Sequence, residues 1–328
     1  MDILGKGWFS EVNDLWPGVA LSLQVKNVLH QERSKFQEIL VVETKSHGRA
    51  LMLDGIIQCT EKDEFSYHEM LSFLPLCSHT NPRNSQNLVP TTLASVVQIL
   101  IVGGGDGGIV REVLKHSDVE HVTLVEIDDR VIEVSKQYLP SLSASLQDLK
   151  VNVVVGDGFE FLRQHVAEYD VIITDSSDPV GNPGRNAAST VSMFCLGPAV
   201  RLFEKSYYEL LASALKPGGI IASQATTVWE NLSQIKSTFE HCKAVFPVTA
   251  YATTAVPTYP TGQIGFLIGA LDSQTNLSQP VKVFNEDELD RMELKYYNDE
   301  IHRAAFVLPR FVVKAFTSPP SINDYRQS

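Results

Sequence analysis

From Ala20 to about Glu64 apolar and polar residues alternate in short runs split by turn signals. The segment EILVVETKSHGRALMLDGIIQCT carries this period-two pattern around Ser46-His47-Gly48 and Asp54-Gly55, which predicts antiparallel hairpin strands. From about Gln98 the pattern changes to apolar run, glycine turn, amphipathic run, repeated: QILIVGG, GIVREVLKH, HVTLVEID, RVIEVSKQYL, VNVVVGDG, FEFLRQHV, DVIITDSSD. Continuous apolar strands alternating with helical patterns predict parallel strands joined by crossovers, with helices on both faces. The fold class expected is therefore α/β: a doubly wound, Rossmann-like sheet preceded by a small N-terminal β domain.

The boundaries read from this pattern are residues 1–66 for the β-hairpin domain and 67–328 for the Rossmann-like catalytic domain. Farther along, Tyr208 and Leu210 open an amphipathic run that reads as a helix closed by Lys216-Pro217-Gly218-Gly219, with IIAS resuming a strand. Two segments poor in charge break the rhythm, near 84–97 and 181–196, and both read as loop insertions. The tail TSPPSINDYRQS reads as a frayed end.

Composition narrows the function classes. With 44% hydrophobic and 20% charged residues among 328, the chain can bury a full core. Its formal charge of -12 repels phosphate backbones and anionic headgroups, so neither nucleic acid nor membrane is expected as a partner, whereas a small cation suits the field. Cys59, Cys77, Cys195 and Cys242 show no paired spacing and no neighbouring histidine pattern, so neither a metal site nor a disulfide framework is expected. The N-terminus lacks a basic and then apolar leader, and no apolar run approaches the roughly eighteen residues of a membrane span. A cytoplasmic location is expected.

Ligands of open α/β sheets bind beyond the carboxyl ends of the strands, and four such ends carry candidate chemistry. Gly103-Gly104-Gly105-Asp106-Gly107-Gly108 satisfies a G-x-G-x-x-G loop opening a helix, which lets backbone approach a nucleotide-like ligand. Asp106 inside that loop would repel a pyrophosphate and attract an amine or sulfonium, unless it is simply a solvated turn residue. Glu126 follows the loop by about twenty residues, the spacing at which a carboxylate takes ribose hydroxyls, although it could equally cap the helix beginning near Asp129. Asp157-Gly158 offers an acceptor and bare backbone to an adenine edge, or an N-cap. Asp175 and Asp178 end the fourth strand as a pair suited to stabilising or deprotonating an amine, with an Asx turn the plainer reading of Asp178. Tyr67 and Tyr259 are phenols that either reach this region or pack in the core. His68 is a pocket candidate by position, while His116 and His302 show no ligand pattern.

LWPG, LDGIIQCTEKDEFSYHEM, GGGDGG..RE, VEID, GDGFEF, DVIITDSSDP, PTYPTGQIGF and KYYNDEIHRAAFVLP together resemble the spermidine synthase family of polyamine aminopropyltransferases, its animal members above all. The likeness covers nearly the whole chain. It implies a methyltransferase-type Rossmann-like sheet, a homodimer, and transfer of an aminopropyl group from decarboxylated S-adenosylmethionine to putrescine, giving spermidine and methylthioadenosine. It implies Asp175 as catalytic base, and Tyr67, Asp178, Gln224 and Tyr259 as putrescine-binding residues. Gln37, His68, Gly103, Gly105, Asp106, Glu126, Asp157 and Gly158 would hold the nucleoside, which is a co-substrate; no separate cofactor or metal is implied. Alternatives are a putrescine N-methyltransferase using ordinary S-adenosylmethionine, a non-catalytic polyamine- or nucleoside-binding homologue and, more distantly, a nicotinamide dehydrogenase.

The chain departs from the family pattern in three places. Gln224-Ala225-Thr226-Thr227-Val228-Trp229 keeps the flanking Gln and Trp but puts Thr226 where the family carries a glutamate. The segment GNPGRNAASTVSMFCL separates Asp178-Pro179 from Gly197-Pro198-Ala199, and NSQNLVPTTLASVV precedes the glycine-loop strand. Both insertions interrupt otherwise unbroken motifs, the pattern expected of retained introns or a splice variant.

Overall fold

In the computed structural model, which describes residues 7–13, 15–80, 97–176 and 198–317, the alternating N-terminal segment folds into an antiparallel sheet. Its strands are β1 (Trp8–Glu11), β2 (Leu21–Arg33), β3 (Glu38–Thr44), β4 (Arg49–Leu53) and β5 (Ile56–Thr60), paired in chain order. Ser46–Gly48 turns β3 into β4, and Asp54-Gly55 turns β4 into β5 with φ of 48° and 80°. Two consecutive positive φ values match the twist of a tight hairpin, which is why Asp-Gly serves there. β1 lies upstream of the expected hairpins; four residues are too few to display a period, although Phe9 is fully buried.

The sheet is sandwiched by period two. Leu40, Val42, Ala50 and Met52 point to one side and pack with Phe9 and Leu23. Ile39, Val41 and Leu51 point to the other and meet Val131, Val134, Leu139 and Leu142 of the larger unit. That second contact joins the two sheets.

The larger unit begins with helix α1 (Glu64–Ser78), buried on nearly every side, so a boundary between 66 and 67 falls within its first turn. The chain continues through β6 (Val97–Gly103), α2 (Gly108–Lys115), β7 (Val119–Glu126), α3 (Asp129–Tyr138), α4 (Pro140–Ser143), β8 (Val151–Val155), α5 (Gly158–Leu162) and β9 (Tyr169–Asp175). Then follow α6 (Lys205–Ala214), β10 (Leu215–Gln224), α7 (Leu232–Lys243), β11 (Val248–Ala255), β12 (Gln263–Ala270), α8 (Glu286–Arg291), α9 (Asp299–Ala305) and α10 (Arg310–Thr317). Among the described residues the strands form one sheet in the order β11-β12-β10-β9-β6-β7-β8. Ile99 and Ile101 face the side covered by α1, while Leu100 and Val102 face the side covered by α6, which explains the unbroken apolar runs.

This is the expected Rossmann-like sheet with one reversal: β12 is antiparallel to both β10 and β11. The loop from Val256 to Gly262 is too short for a crossover, so β11 and β12 pair as neighbours of opposite direction. A second correction concerns the helix expected to begin at Tyr208 and end at Gly218-Gly219. α6 starts at Lys205 and stops at Ala214, and Lys216–Gly219 is an irregularity inside β10, where the register against β9 shifts between Leu215 and Ile220. Gly218 has φ 82°, so its glycine turns a strand rather than capping a helix. No described helix is long and apolar enough to cross a membrane.

Strand order places the ligand crevice. From β6 the chain moves outward through β7 to β8, then returns to β9 on the other side of β6. The crossovers leaving β6 and β9 therefore diverge, and a cleft opens beyond their carboxyl ends.

Candidate active site

Gly103 at the end of β6 stands opposite Asp175 at the end of β9. Gly104 N–H donates to the Asp175 carbonyl at 2.9 Å, and a Cβ built on Gly103 would lie 2.0 Å from that oxygen. Only a residue without a side chain lets these two strand ends close, and φ of 82° at Gly103 points the same way. The loop then delivers Asp106, nearly buried, whose Oδ1 accepts from Gly108 N–H at 2.7 Å. That removes the solvated-turn reading of Asp106.

A cavity of about 230 Å³ fills the crevice. Its floor comes from the strand tips and its roof from the N-terminal sheet. Gln37, Tyr67, His68, Gly103, Gly105, Asp106, Glu126, Asp157, Gly158, Asp175, Gln224 and Tyr259 all line it, so twelve of the thirteen expected site residues converge. The thirteenth, Asp178, lies outside the described residues, as do Pro179, the insertion at 181–196 and nearly all of that at 84–97.

Tyr67 on α1 donates its hydroxyl to Asp175 Oδ1 at 2.5 Å. Tyr259 meets the Tyr67 ring edge-on at 5.7 Å and donates to the Gln58 carbonyl on β5 at 2.5 Å, bridging the two sheets. His68, Asp106 and Asp175 each present a ligand atom within 4.8 Å of the others. Burial, reinforced by the charge of Asp106, pushes the Asp175 carboxyl from its ordinary value near 3.8 up to about 6, against His68 and the Tyr67 hydroxyl. Burial alone would pull the His68 imidazole down, but Asp106 and Glu64 outweigh it and raise it to about 10. His68 Nδ1 pairs with Glu64 Oε2 at 2.6 Å, and Nε2 faces Asp106 Oδ2 at 3.6 Å. Flanked by these two acids, His68 favours the form with both nitrogens protonated.

Further carboxylates line the cleft beside the glycine loop. Glu126 accepts from Gly105 N–H at 3.2 Å and Asp128 N–H at 2.9 Å, and burial raises its carboxyl to about 7. Asp128, not Glu126, is the N-cap of α3, accepting from Arg130 N–H, while Glu126 holds the backbone just before it and lines the cavity. Asp157 likewise N-caps α5 through Phe159 N–H at 2.8 Å and still lines the cleft. Gln37 donates to Asp128 Oδ2 at 3.0 Å, which ties the roof to α3. Gly105 is required here because a Cβ would lie 2.9 Å from Glu126 Cγ.

Residues that motif reading passed over also line the cleft: Trp16, Gln58, Thr227 and Gln263. Trp16 sat inside LWPG, and Gln263 inside PTYPTGQIGF, where adjacent residues drew the attention. Thr226 holds φ of 37°, and its hydroxyl accepts from Asn231 Nδ2 at 3.2 Å. The wall where a glutamate was expected is thus neutral.

The spermine/spermidine synthase domain model matches residues 64–279, and the spermidine synthase tetramerisation domain model matches residues 7–61. A spermidine synthase of Dictyostelium discoideum is 45% identical over 96% of this chain and 99% of its own length. One from Schizosaccharomyces pombe is 46% identical over 94% and 93%. Among solved structures, a spermidine synthase in complex with the transition-state analogue AdoDATO superposes with a TM-score of 0.79 at 32% identity, covering 95% of each chain.

Proposed function

The chain belongs to the spermine/spermidine synthase family and is an aminopropyltransferase, a spermidine synthase; we propose that the cleft residues divide its chemistry as follows. The observation that carries the assignment is the Tyr67–Asp175 contact at the switch point, with Asp106 and His68 beside it.

Asp106, Glu126, Asp157, Gly158, Gln37, His68 and the Gly103–Gly105 backbone hold decarboxylated S-adenosylmethionine. Glu126 takes the ribose hydroxyls, and Asp157 with the bare Gly158 backbone meets the adenine. Asp106 faces the terminal ammonium, which the loss of the carboxylate leaves unaccompanied. Ordinary S-adenosylmethionine would bring its carboxylate against the same acid, so the cleft disfavours it.

Putrescine enters between Tyr67, Tyr259, Gln224 and Asp178. Asp175 removes a proton from its ammonium, and the freed nitrogen attacks the methylene attached to the sulfonium. The new C–N bond forms as the C–S bond breaks, and the bonding pair returns to sulfur as neutral methylthioadenosine departs. Tyr67 orients the carboxylate so that its other oxygen faces the nitrogen.

The decisive experiment is mass spectrometry of products from purified protein supplied with decarboxylated S-adenosylmethionine and putrescine. Spermidine plus methylthioadenosine is expected, while methylputrescine formed from ordinary S-adenosylmethionine would overturn the reading. We further place the protein in the cytoplasm as a homodimer acting on these small molecules, without a nucleic-acid or membrane partner and without a separate cofactor. Light scattering on the purified protein tests the assembly, and a tetramer would overturn the dimer.

A further inference from the structure

A row of charged side chains runs from Arg111 and Glu64, which stand outside the cavity lining, to His68, Asp106 and Asp175, which are part of it. Arg111 on α2 reaches Glu64 with two guanidinium nitrogens, Nη2 to Oε2 at 2.7 Å and Nη1 to Oε1 at 3.0 Å, while its Nε donates to Glu112 at 2.7 Å. Glu64 Oε2 also accepts from His68 Nδ1 at 2.6 Å. His68 then faces Asp106, and Asp106 and Asp175 complete the row. The His68 ring has no room to leave: a Cβ on Gly108 would stand 2.4 Å from its Cε1.

Resting on the assignment of Asp175 as the base, we propose that Glu64 and Arg111 are positioning residues of the transfer, holding the His68 imidazolium against Asp106 and thereby keeping Asp175 in its proton-accepting form. The two-pronged guanidinium contact fixes the plane of the Glu64 carboxylate. One oxygen is then aimed at Nδ1, which keeps its proton, and Nε2 keeps the other under the pull of Asp106. The cation stands between two acids that would otherwise repel each other and the proton transfer they serve. Among the described residues, the other titratable groups facing His68 and Asp175 are Tyr67 on α1, Cys59 on β5, Glu126 on β7 and Tyr259 before β12, acids that are neutral or negative and never cationic.

Glu64→Gln removes the anion that fixes the His68 ring, so the ring is held less firmly toward Asp106 and Asp175, and Asp175 should hold its proton to higher pH. Full-length Glu64→Gln is expected to move the acid limb of kcat/KM for putrescine upward by about one pH unit. The same substitution made in a His68→Gln background should produce no further displacement. Nitrogen chemical shifts of labelled His68 followed across pH should report imidazolium in the parent near pH 8 and a lower titration midpoint in Glu64→Gln, a readout that does not need turnover. Arg111→Lys keeps the charge but loses the fork, and an intermediate displacement is expected; this variant decides the matter should Glu64→Gln fail to fold. An acid limb that stays in place while activity falls equally at every pH would overturn the proposal, as would a displacement that persists without His68. A parent enzyme that makes no spermidine would instead overturn the functional assignment, and the His68 shifts would still judge the positioning role.

Discussion

The Tyr67 hydroxyl donates to Asp175 Oδ1 over 2.5 Å, joining the first turns of α1 to the tip of β9 across 108 residues of sequence. The bond leaves one carboxylate oxygen for the substrate. Tyr67→Phe should lower kcat about tenfold, the effect of losing one hydrogen bond to a charged acceptor. The acid limb of kcat/KM should also rise, because the hydroxyl helps hold the Asp175 proton off. Steady-state kinetics against pH tests both, and a variant indistinguishable from the parent would remove Tyr67 from the machinery.

Asp175→Asn keeps the shape of the strand tip and removes the base. A fall in kcat of about a hundredfold to ten-thousandfold is expected. Affinity for methylthioadenosine, measured by calorimetry, should change little because the nucleoside end of the cleft is untouched. Loss of nucleoside binding with turnover retained would reverse the assigned roles.

The pH dependence follows from the raised Asp175 carboxyl, near 6 in the fold against its ordinary value near 3.8. Activity requires the ionised form, so kcat/KM should climb through about pH 6 and level off above it. Stability runs the other way. The folded state favours the protonated acid, so the contribution is complete below 3.8 and is lost as pH rises through about 6. Relative to the parent, Asp175→Asn should therefore gain stability between pH 4.5 and pH 8, on the order of 1 kcal/mol after solvent screening. Thermal melts at the two pH values measure it, and an unchanged difference would contradict the buried-acid account.

Gly103→Ala places a methyl group 2.0 Å from a backbone oxygen at φ 82°. The strand tips must part, and a loss of more than about 3 kcal/mol is expected, seen as a lowered Tm or as insoluble protein. A variant as stable as the parent would show that β6 and β9 do not approach as described.

Much of this was legible in sequence wherever period or spacing reports directly on geometry. Asp54-Gly55 announced its hairpin, and the apolar runs Ile99–Val102 of β6 and Val171–Ile173 of β9 announced a sheet covered on both faces. The glycine loop marked the crevice because close approach leaves no alternative residue at Gly103 or Gly105. What escaped was non-local or too short. β1 carries too few residues to show alternation, and Lys216–Gly219 bears the same residues as a helix end while serving a strand. Glu64 and Arg111 were invisible as a pair because 47 residues separate them and only the packing of α1 on α2 brings them together. Glu64 and His68, four apart, were the one local clue.

The Tyr259 hydroxyl, by ending on the main-chain oxygen of Gln58, makes a latch whose two sides tolerate change unequally. Any amino acid at position 58 still offers that carbonyl, so drift there leaves the fastening intact. Position 259 must keep an aromatic ring long enough to span the seam and a hydroxyl at its end, and the burden of preserving the closed chamber falls on that one side chain.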